Sequence, residues 1–269
     1  MIGAEIKIMS EFVVYNAPQS TCSQRVRFVL HAKAQTFVEH KLDLFAGDQL
    51  KPDYIKINPN GVVPALVHDG VSIIDSAVII EYLDDIFPEV APMRPSDPKE
   101  VARLRAMMRF VDEVPTPAVR IPSYNLAFLP HFQSMSEAEF QVLCDSKPLR
   151  REFLMRMGRT GFPEADMNEA LQRLRRGVER MDMWLNQSNG PWIMGENISL
   201  VDVAIMPIIV RMKDLKLGHI WDDYSRVEAW LQRIEQTPAF KLTFYHGSLL
   251  TEKYPHLLAR ADFVPEGRS

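Results

Sequence analysis

Three hydroxyls and a thiol follow one another where a loop enters a predicted helix. Residues 20 to 23 are Ser, Thr, Cys and Ser, and the apolar residues after them recur at near-helical spacing. The first N–H groups of a helix have no partner within it and carry a partial positive charge, so this end stabilises an anion such as a thiolate. Ser20, Thr21, Cys22 and Ser23 are therefore candidate catalytic residues. The alternative is that Ser20 or Ser23 only caps the helix.

Two further segments could hold a small polar ligand. Val63 and Pro64 precede an apolar run, and a proline at the first residue of a strand costs no ladder hydrogen bond. Asp75 and Ser76 follow at the start of another helical pattern, where free N–H groups can bind a carboxylate. The alternatives are an ordinary turn with a trans proline and a simple helix cap.

The elements that position these residues form a strand-rich first half. Four short runs have the composition or alternation of strands, at residues 12–15, 37–44, 64–68 and 71–74. Helical patterns follow residue 20 and residue 75, and residues 50–57 fit a short helix. The dipeptide Asp69-Gly70 supplies the positive φ angles of a two-residue hairpin turn. We expect an α/β domain with the order βαβαββα and a mixed sheet, parallel first and antiparallel last.

The second half is predicted to be all-α. Four prolines between Pro88 and Pro98 indicate an interdomain linker. We therefore predict an N-terminal domain over residues 10–88 and an all-helical domain over residues 99–258. Helical patterns cover residues 99–114, 137–143, 164–186, 199–215, 225–236 and 240–249.

Composition excludes several classes of protein. The 269 residues carry 31 Lys and Arg against 35 Asp and Glu, so there is no basic excess for binding nucleic acid. No window reaches the length of an apolar membrane span, and two cysteines suit a reducing compartment, so we expect a cytosolic protein. The seven histidines show no metal-ligand spacing, and we predict no metal site. Met9 is a candidate natural start, with Met1 to Ser10 preceding the first patterned segment.

Taken together, the three polar segments and the βαβαββα-then-helical order resemble the cytosolic glutathione transferases. The resemblance implies a thioredoxin-like fold for the first domain, glutathione as co-substrate, and a dimer of identical or related chains. It also implies roles for the candidate residues: residues 20–23 hold the glutathione sulfur, and Val63 before a cis Pro64 pairs with the cysteinyl backbone. By the same resemblance, Asp75 and Ser76 bind the γ-glutamyl end of glutathione. Residues 199–202 (Ser, Leu, Val, Asp) match the family's structural capping box.

The sequence resembles two branches of the family, which assign the catalytic serine to different residues. Residues 20–27 are similar to the zeta-class signature, which assigns the sulfur to Ser20, places Cys22 in the site and directs Gln49 to the glycyl end of glutathione. The second half resembles the bacterial β-etherases that cleave lignin-derived aryl ethers, whose alignment gives the catalytic role to Ser23. That resemblance lies in residues 112–113, 135–140 and 159–163.

The acceptor pocket is expected where Pro115, Pro117 and Pro122 break the fourth helix. Candidate lining residues are Arg120, Tyr124, Asn125, Phe128 and Phe132. The alternative for the aromatic residues is that they only pack in the hydrophobic core.

The resemblance implies an enzyme, a glutathione transferase that cleaves β-aryl ethers of a small aromatic substrate by thiolate attack at the β-carbon. One alternative is isomerisation of a small dicarboxylic acid, with Arg120 and Arg25 as its cationic groups. The other alternative is a non-catalytic, glutathione-transferase-like subunit.

Overall fold

The computed structural model describes residues 11–259. The expectation that Met9 is the natural start therefore concerns residues outside this range. Four short strands form one mixed sheet in the order β2-β1-β3-β4. Strand β1 (Phe12–Asn16) pairs in parallel with β2 (Val38–Lys41) and antiparallel with β3 (Ala65–His68). Strand β4 (Val71–Ile74) pairs antiparallel with β3, so the predicted mixed sheet is confirmed.

A two-residue turn sets the register of the hairpin. Asp69 and Gly70 have φ angles of 47° and 82°, as the sequence predicted for this turn type. The turn aligns Leu66 with Ile73 and, on the other side of β3, with Val14. Val14 and Leu66 are fully buried, so the centre of the sheet belongs to the hydrophobic core.

Three helices complete the N-terminal half in the predicted order. Helix α1 (Thr21–Ala32) follows β1, α2 (Pro52–Ile57) follows β2, and α3 (Ser76–Ile86) follows β4. The predicted start of α2 at Leu50 was two residues early, because Leu50 ends a separate 3-10 turn before the chain extends at Lys51.

The second half is helical. Apart from an isolated bridge between Trp192 and Gly195, the described residues from 98 onward form no β-structure. Its helices are α4 (Pro98–Glu113), α5 (Pro115–Ser123), α6 (Leu129–Gln133), α7 (Glu137–Asp145), α8 (Arg151–Met157), α9 (Glu164–Gln187), α10 (Leu200–Asp214), α11 (Ser225–Glu235), α12 (Pro238–Thr243) and α13 (Leu250–Lys253). A π-helical turn over Tyr124–Phe128 joins α5 to α6.

The prolines near residue 115 do not remove helix there. Pro115 stands at the first helical position of α5, where a missing N–H costs nothing, and Pro122 lies near the end of the same helix. Helices α5 and α6 were therefore missed, although the predicted break after α4 is present, and the short helices α8 and α13 were also not predicted.

The predicted helix over residues 240–249 was wrong beyond Thr243. Phe244 leaves helical geometry and Gly247 has a φ of 92°, which a right-handed helix does not allow. The N–H groups of Gly247 and Leu249 instead donate to the Glu252 carboxylate at 2.8 and 3.0 Å, so a turn precedes α13.

The segment between α3 and α4 is held against the sheet-bearing half. The buried Lys33 ammonium lies 2.5 Å from Asp84 and donates to the carbonyls of Phe87 and Ala91, each at 3.0 Å. The larger of two apolar core clusters runs from Phe12 to Leu257 through both halves, and a smaller one lies within the helical half. We keep 10–88 and 99–258 as the proposed domain limits; the two domains pack as one body around this core.

Candidate active site

A cleft of about 240 Å³ lies between the two halves of the molecule. Below, "the cleft" means this cavity. The N-terminal half contributes the start of α1, the loops after β2 and α2, and the residue before β3. Its lining residues there are Ala17, Gln19, Ser20, Thr21, Cys22, Leu42, Leu44, Phe45, Gln49, Leu50, Asn60, Gly61, Val62 and Val63.

Ser20 is the N-cap of α1 and lines the cleft. Its hydroxyl oxygen accepts a hydrogen bond from the backbone N–H of Ser23 at 3.2 Å. Thr21 and Cys22 line the cleft in the first turn of the same helix. The hydroxyl of Ser20 and the positive end of α1 therefore meet at one place in the cleft, which suits an anionic sulfur.

Ser23, in the first turn of the same helix, has a different environment from Ser20. Its side chain is fully buried, does not line the cleft, and accepts a hydrogen bond from the Ala17 N–H at 3.4 Å. The two serines of the predicted catalytic segment are thus separated by the structure: Ser20 reaches the cleft and Ser23 holds the preceding loop.

Val63 and Gln49 reach the cleft from the loops before β3 and after β2. The Val63–Pro64 peptide is cis, and Pro64 itself is buried behind the lining. Gln49 is buried and donates weakly to the Leu44 carbonyl at 3.4 Å, while its side-chain oxygen has no partner among the described residues. That free oxygen leaves Gln49 with hydrogen-bonding capacity for a ligand.

Asp75 and Ser76 lie outside the lining of the cleft. Asp75 is exposed and caps α3, accepting from the N–H groups of Ala77 and Val78 at 2.9 and 3.2 Å. The buried hydroxyl of Ser76 accepts from the Arg25 guanidinium at 3.4 Å. Both residues stand at the N-terminus of a helix, which is where the sequence placed them.

Arg25 does not face the cleft. Its guanidinium is buried and lies 2.6 Å from the Asp112 carboxylate, and it also donates to the Ala204 carbonyl at 2.9 Å and to Thr116 at 3.0 Å. The expectation that Arg25 could contact a substrate was wrong, because its donors join α1 to the helical half instead.

An aromatic wall faces the start of α1. The rings of Tyr124 and Phe132 stack with centroids 5.7 Å apart, and Phe128 meets Tyr124 edge to face at 5.1 Å. Phe45, from the loop after β2, packs on Phe128 at 5.5 Å. These four rings line the cleft, which gives it a surface suited to an aromatic ligand.

Asn125 is not part of this wall. Its amide donates to the Phe162 carbonyl at 2.9 Å and accepts from the Phe162 N–H at 2.7 Å. Asn125 therefore fixes the chain before α9, and the prediction that it lines the pocket was wrong. Successive side chains of a helical segment point in different directions, which separates Asn125 from Tyr124.

In the part of the chain that the structure describes, no Asp or Glu lines the cleft, and five basic side chains do: Arg120, Lys147, Arg150, Arg211 and Lys253. Burial lowers the pKa of Arg120 and of Lys147 from their ordinary values, and the nearby Arg150 guanidinium lowers that of Arg120 further. Burial also lowers the pKa of Arg211 to about 10. A guanidinium stays protonated at neutral pH, so Arg120 and Arg211 give the cleft a positive potential.

Two tyrosines line the cleft with protonated hydroxyls. Burial raises the pKa of Tyr124, and burial together with Asp43 raises the pKa of Tyr254 to about 12. Each can therefore donate a hydrogen bond to a ligand at neutral pH.

Several lining residues were missed by the sequence analysis, namely Phe45, Lys147, Arg150, Arg211, Lys253 and Tyr254. They come from four separate segments, and none has a local motif. A basic residue in a helical half is usually solvated, so only the fold identifies these as site residues.

Two absences concern the described residues only. In the range 11–259, no three His, Cys, Asp or Glu side chains are grouped so that they could hold a metal ion. Over the same range, no helix has both the length and the apolar character that crossing a membrane requires.

Comparison with known proteins identifies the family. A model of the glutathione S-transferase N-terminal domain matches residues 14–91, and a model of the C-terminal domain matches residues 133–238. Protein LigF from Sphingobium sp. strain SYK-6 is 31% identical over 80% of this chain and 86% of its own. A probable maleylacetoacetate isomerase from Caenorhabditis elegans is 27% identical over 85% of this chain and 90% of its own.

A solved structure agrees with the sequence comparison. The crystal structure titled beta-etherase LigF superposes with a TM-score of 0.76 at 28% identity, covering 87% of this chain and 98% of that one. With its thioredoxin-like sheet domain and helical second domain, the chain belongs to the glutathione S-transferase family, whose co-substrate is glutathione.

Proposed function

We propose that the protein cleaves β-aryl ethers with glutathione. The observation that carries this proposal is that Ser20, at the N-terminus of α1, and the aromatic residues Tyr124, Phe128 and Phe132 line one and the same cleft. A thiolate held at Ser20 faces a surface on which an aryl group can stack. The likeness to the beta-etherase LigF supports the same reaction class.

The proposed step is a displacement at carbon. The glutathione sulfur loses its proton to solvent and attacks the β-carbon of an α-keto aryl ether, forming a carbon–sulfur bond. The carbon–oxygen bond breaks, the phenolate takes the electron pair, and it is then protonated. The Ser20 hydroxyl donates to the thiolate and keeps it in line with the leaving group.

Glutathione is proposed to lie along the N-terminal wall. The Val63 backbone pairs with its cysteinyl unit, Gln49 binds the glycyl end, and Asp75 with Ser76 binds the γ-glutamyl end. Val63 and Gln49 line the cleft, while Asp75 and Ser76 stand beyond it at the start of α3. This places the sulfur of an extended peptide between the two ends, near Ser20.

A second candidate function is isomerisation of a small dicarboxylic acid. The basic lining of the cleft favours it, as does the likeness to a protein named as a probable maleylacetoacetate isomerase. Arg120 remains available for that role, whereas Arg25 is bound to Asp112.

The oligomer is proposed to be a dimer in which the sheet domain of one subunit packs on the helical domain of the other. Val71 and Val78 are 65% and 54% exposed on β4 and α3, and they offer an apolar face for such packing. We propose the cytosol as its compartment because Cys22 and Cys144 are free thiols. Light scattering would test the dimer, which a monomeric mass at micromolar concentration would contradict.

Product analysis tests the reaction. The protein is incubated with glutathione and a model α-keto β-aryl ether, and mass spectrometry is used to find the glutathione thioether and the released phenol in equal amounts. A parallel incubation with a cis-unsaturated dicarboxylic acid tests the isomerase. Isomerisation without ether cleavage would contradict the proposal, and inactivity in both would favour the non-catalytic subunit.

A further inference from the structure

We propose that the acceptor substrate is an aryl ether that carries a carboxylate, and that Arg120 and Arg150 bind this group. The inference rests on the proposed ether cleavage and adds the charge of the substrate to it. Neither guanidinium forms an ion pair within the described part of the chain: Arg150 donates only to the neighbouring Leu149 carbonyl at 3.2 Å, and Arg120 lies over the Phe153 ring at 5.8 Å.

The charge of the cleft is larger than glutathione can neutralise. Among residues 11–259, five basic side chains line the cleft and no acidic side chain does. Glutathione with an ionised thiol carries two carboxylates and a thiolate against one ammonium group, so it offsets about two of the five positive charges. Uncompensated charges in a partly desolvated cavity are costly. A further anion in the complex removes this cost.

The basic residues fall into two groups by their neighbours. Lys147 donates to the Leu44 carbonyl at 3.3 Å, and the Gln49 amide donates to the same oxygen at 3.4 Å. Lys147 thus stands beside the residue proposed for the glycyl carboxylate of glutathione. Lys253, which lies 6.0 Å from the Phe45 ring, belongs to the same side of the cleft.

Arg120 and Arg150 stand at the other side, among the groups proposed for the acceptor. The charge of Arg120 is close enough to interact with Cys22, Tyr124 and Arg150. Two guanidiniums near one another repel, and this arrangement is stabilised when a carboxylate lies between them. Planar guanidinium groups bind a carboxylate through paired, charge-assisted hydrogen bonds, which fixes its orientation.

The test uses two acceptors that differ only in charge. One is a β-aryl ether with a free carboxylate, and the other is its methyl ester. For the unsubstituted protein we expect kcat/KM to favour the acid by about tenfold or more, since each charge-assisted hydrogen bond lost corresponds to about a tenfold to hundredfold change. Arg120→Met and Arg150→Met should each move the ratio of acid to ester toward one. An unchanged KM for glutathione in each variant would show that the glutathione site is still folded.

A matched control uses Arg176, an exposed residue of α9 that is far from the lining of the cleft. Arg176→Met should leave the acid-to-ester ratio as it is in the unsubstituted protein. Equal kcat/KM for the two acceptors in the unsubstituted protein would overturn the inference and leave ether cleavage standing. Cleavage of neither acceptor would instead overturn the proposed function.

Discussion

Ser20 and Ser23 belong to the same helix start and are joined by a hydrogen bond of 3.2 Å from the Ser23 N–H to the Ser20 hydroxyl oxygen, yet only Ser20 reaches the cleft. Ser20 lines the cleft, and Ser23 is fully buried against the loop at Ala17. The two branches of the family that the sequence resembles assign the sulfur to different members of this pair. Access to the cleft supports Ser20.

Substitutions at Ser20 separate its two roles. Ser20→Gly removes the hydroxyl but retains an acceptable N-cap, so we expect turnover to fall about tenfold to a thousandfold with a loss of only a few tenths of a kcal/mol in stability. Ser23→Ala is the matched control and should lower stability by about 1 kcal/mol while turnover persists. Steady-state kinetics and urea unfolding provide both readouts. Loss of turnover at Ser23 with retention at Ser20 would reverse the assignment.

Asp75 is predicted to bind the γ-glutamyl end of glutathione in addition to capping α3. Asp75→Asn retains a good N-cap and tolerates the positive φ of 73°, but it removes the negative charge. Loss of a charge-assisted bond of about 1.5 to 3 kcal/mol should weaken glutathione binding about tenfold to a hundredfold.

Calorimetric titration with glutathione provides the measurement for Asp75. Ser76→Ala, at the adjacent position, should also weaken binding, since its hydroxyl faces the same helix end. Unchanged affinity in both variants would show that these residues serve only the fold.

The Arg25–Asp112 pair is predicted to stabilise the contact between the two halves. Asp112→Leu leaves the buried Arg25 charge unpaired and should cost about 3 kcal/mol. The double variant Arg25→Met with Asp112→Leu should lose less stability than the two single variants together, because no unpaired charge then remains buried. Urea unfolding of the unsubstituted protein, the two single variants and the double variant measures the coupling energy of the pair. Additive losses of stability in the double variant would refute the predicted coupling.

Two histidines should make stability depend on pH. Burial lowers the pKa of His31, which faces Arg27 and Glu39, and that of His131, which faces Lys147 and Asp43, below the ordinary value of 6.5. The unfolded chain therefore takes up protons near pH 6.5 that the folded protein does not. Stability should fall as the pH drops below 6.5. The double variant His31→Gln with His131→Gln should show a flatter profile, and an unchanged slope would contradict this origin.

The sequence predicted those parts of the fold that depend on local patterns. Alternation in the strands and the Asp69-Gly70 turn determine the hairpin, and the Ser199–Asp202 capping box is present, with the Ser199 N–H donating to Asp202 at 2.8 Å. Proline was the main source of error. Pro115 predicts a break in the helix, but it also begins the next helix, α5. Proline is tolerated at the first helical position, so its effect depends on where it stands in the element.

The candidate site was predictable only where its residues follow one another in the chain. Residues 20 to 22 line the cleft together because they share the first turn of α1. The basic residues Lys147 and Arg150 reach it from the segment between α7 and α8, which no local pattern connects to the sheet. Asn125 is not part of the wall because its side chain is hydrogen-bonded to the Phe162 backbone, a contact distant in sequence that no local pattern indicates.

The most direct test of the account is the pKa of the glutathione thiol in the complex. It is measured from the ultraviolet absorbance of the thiolate as a function of pH, with S-methylglutathione in the reference to cancel the absorbance of Cys22 and Cys144. We expect the pKa of the bound thiol to lie clearly below that of free glutathione and to rise in Ser20→Gly, because the hydroxyl and the end of α1 stabilise the thiolate. A bound thiol that titrates like free glutathione, or one unaffected by the Ser20 substitution, would contradict the account.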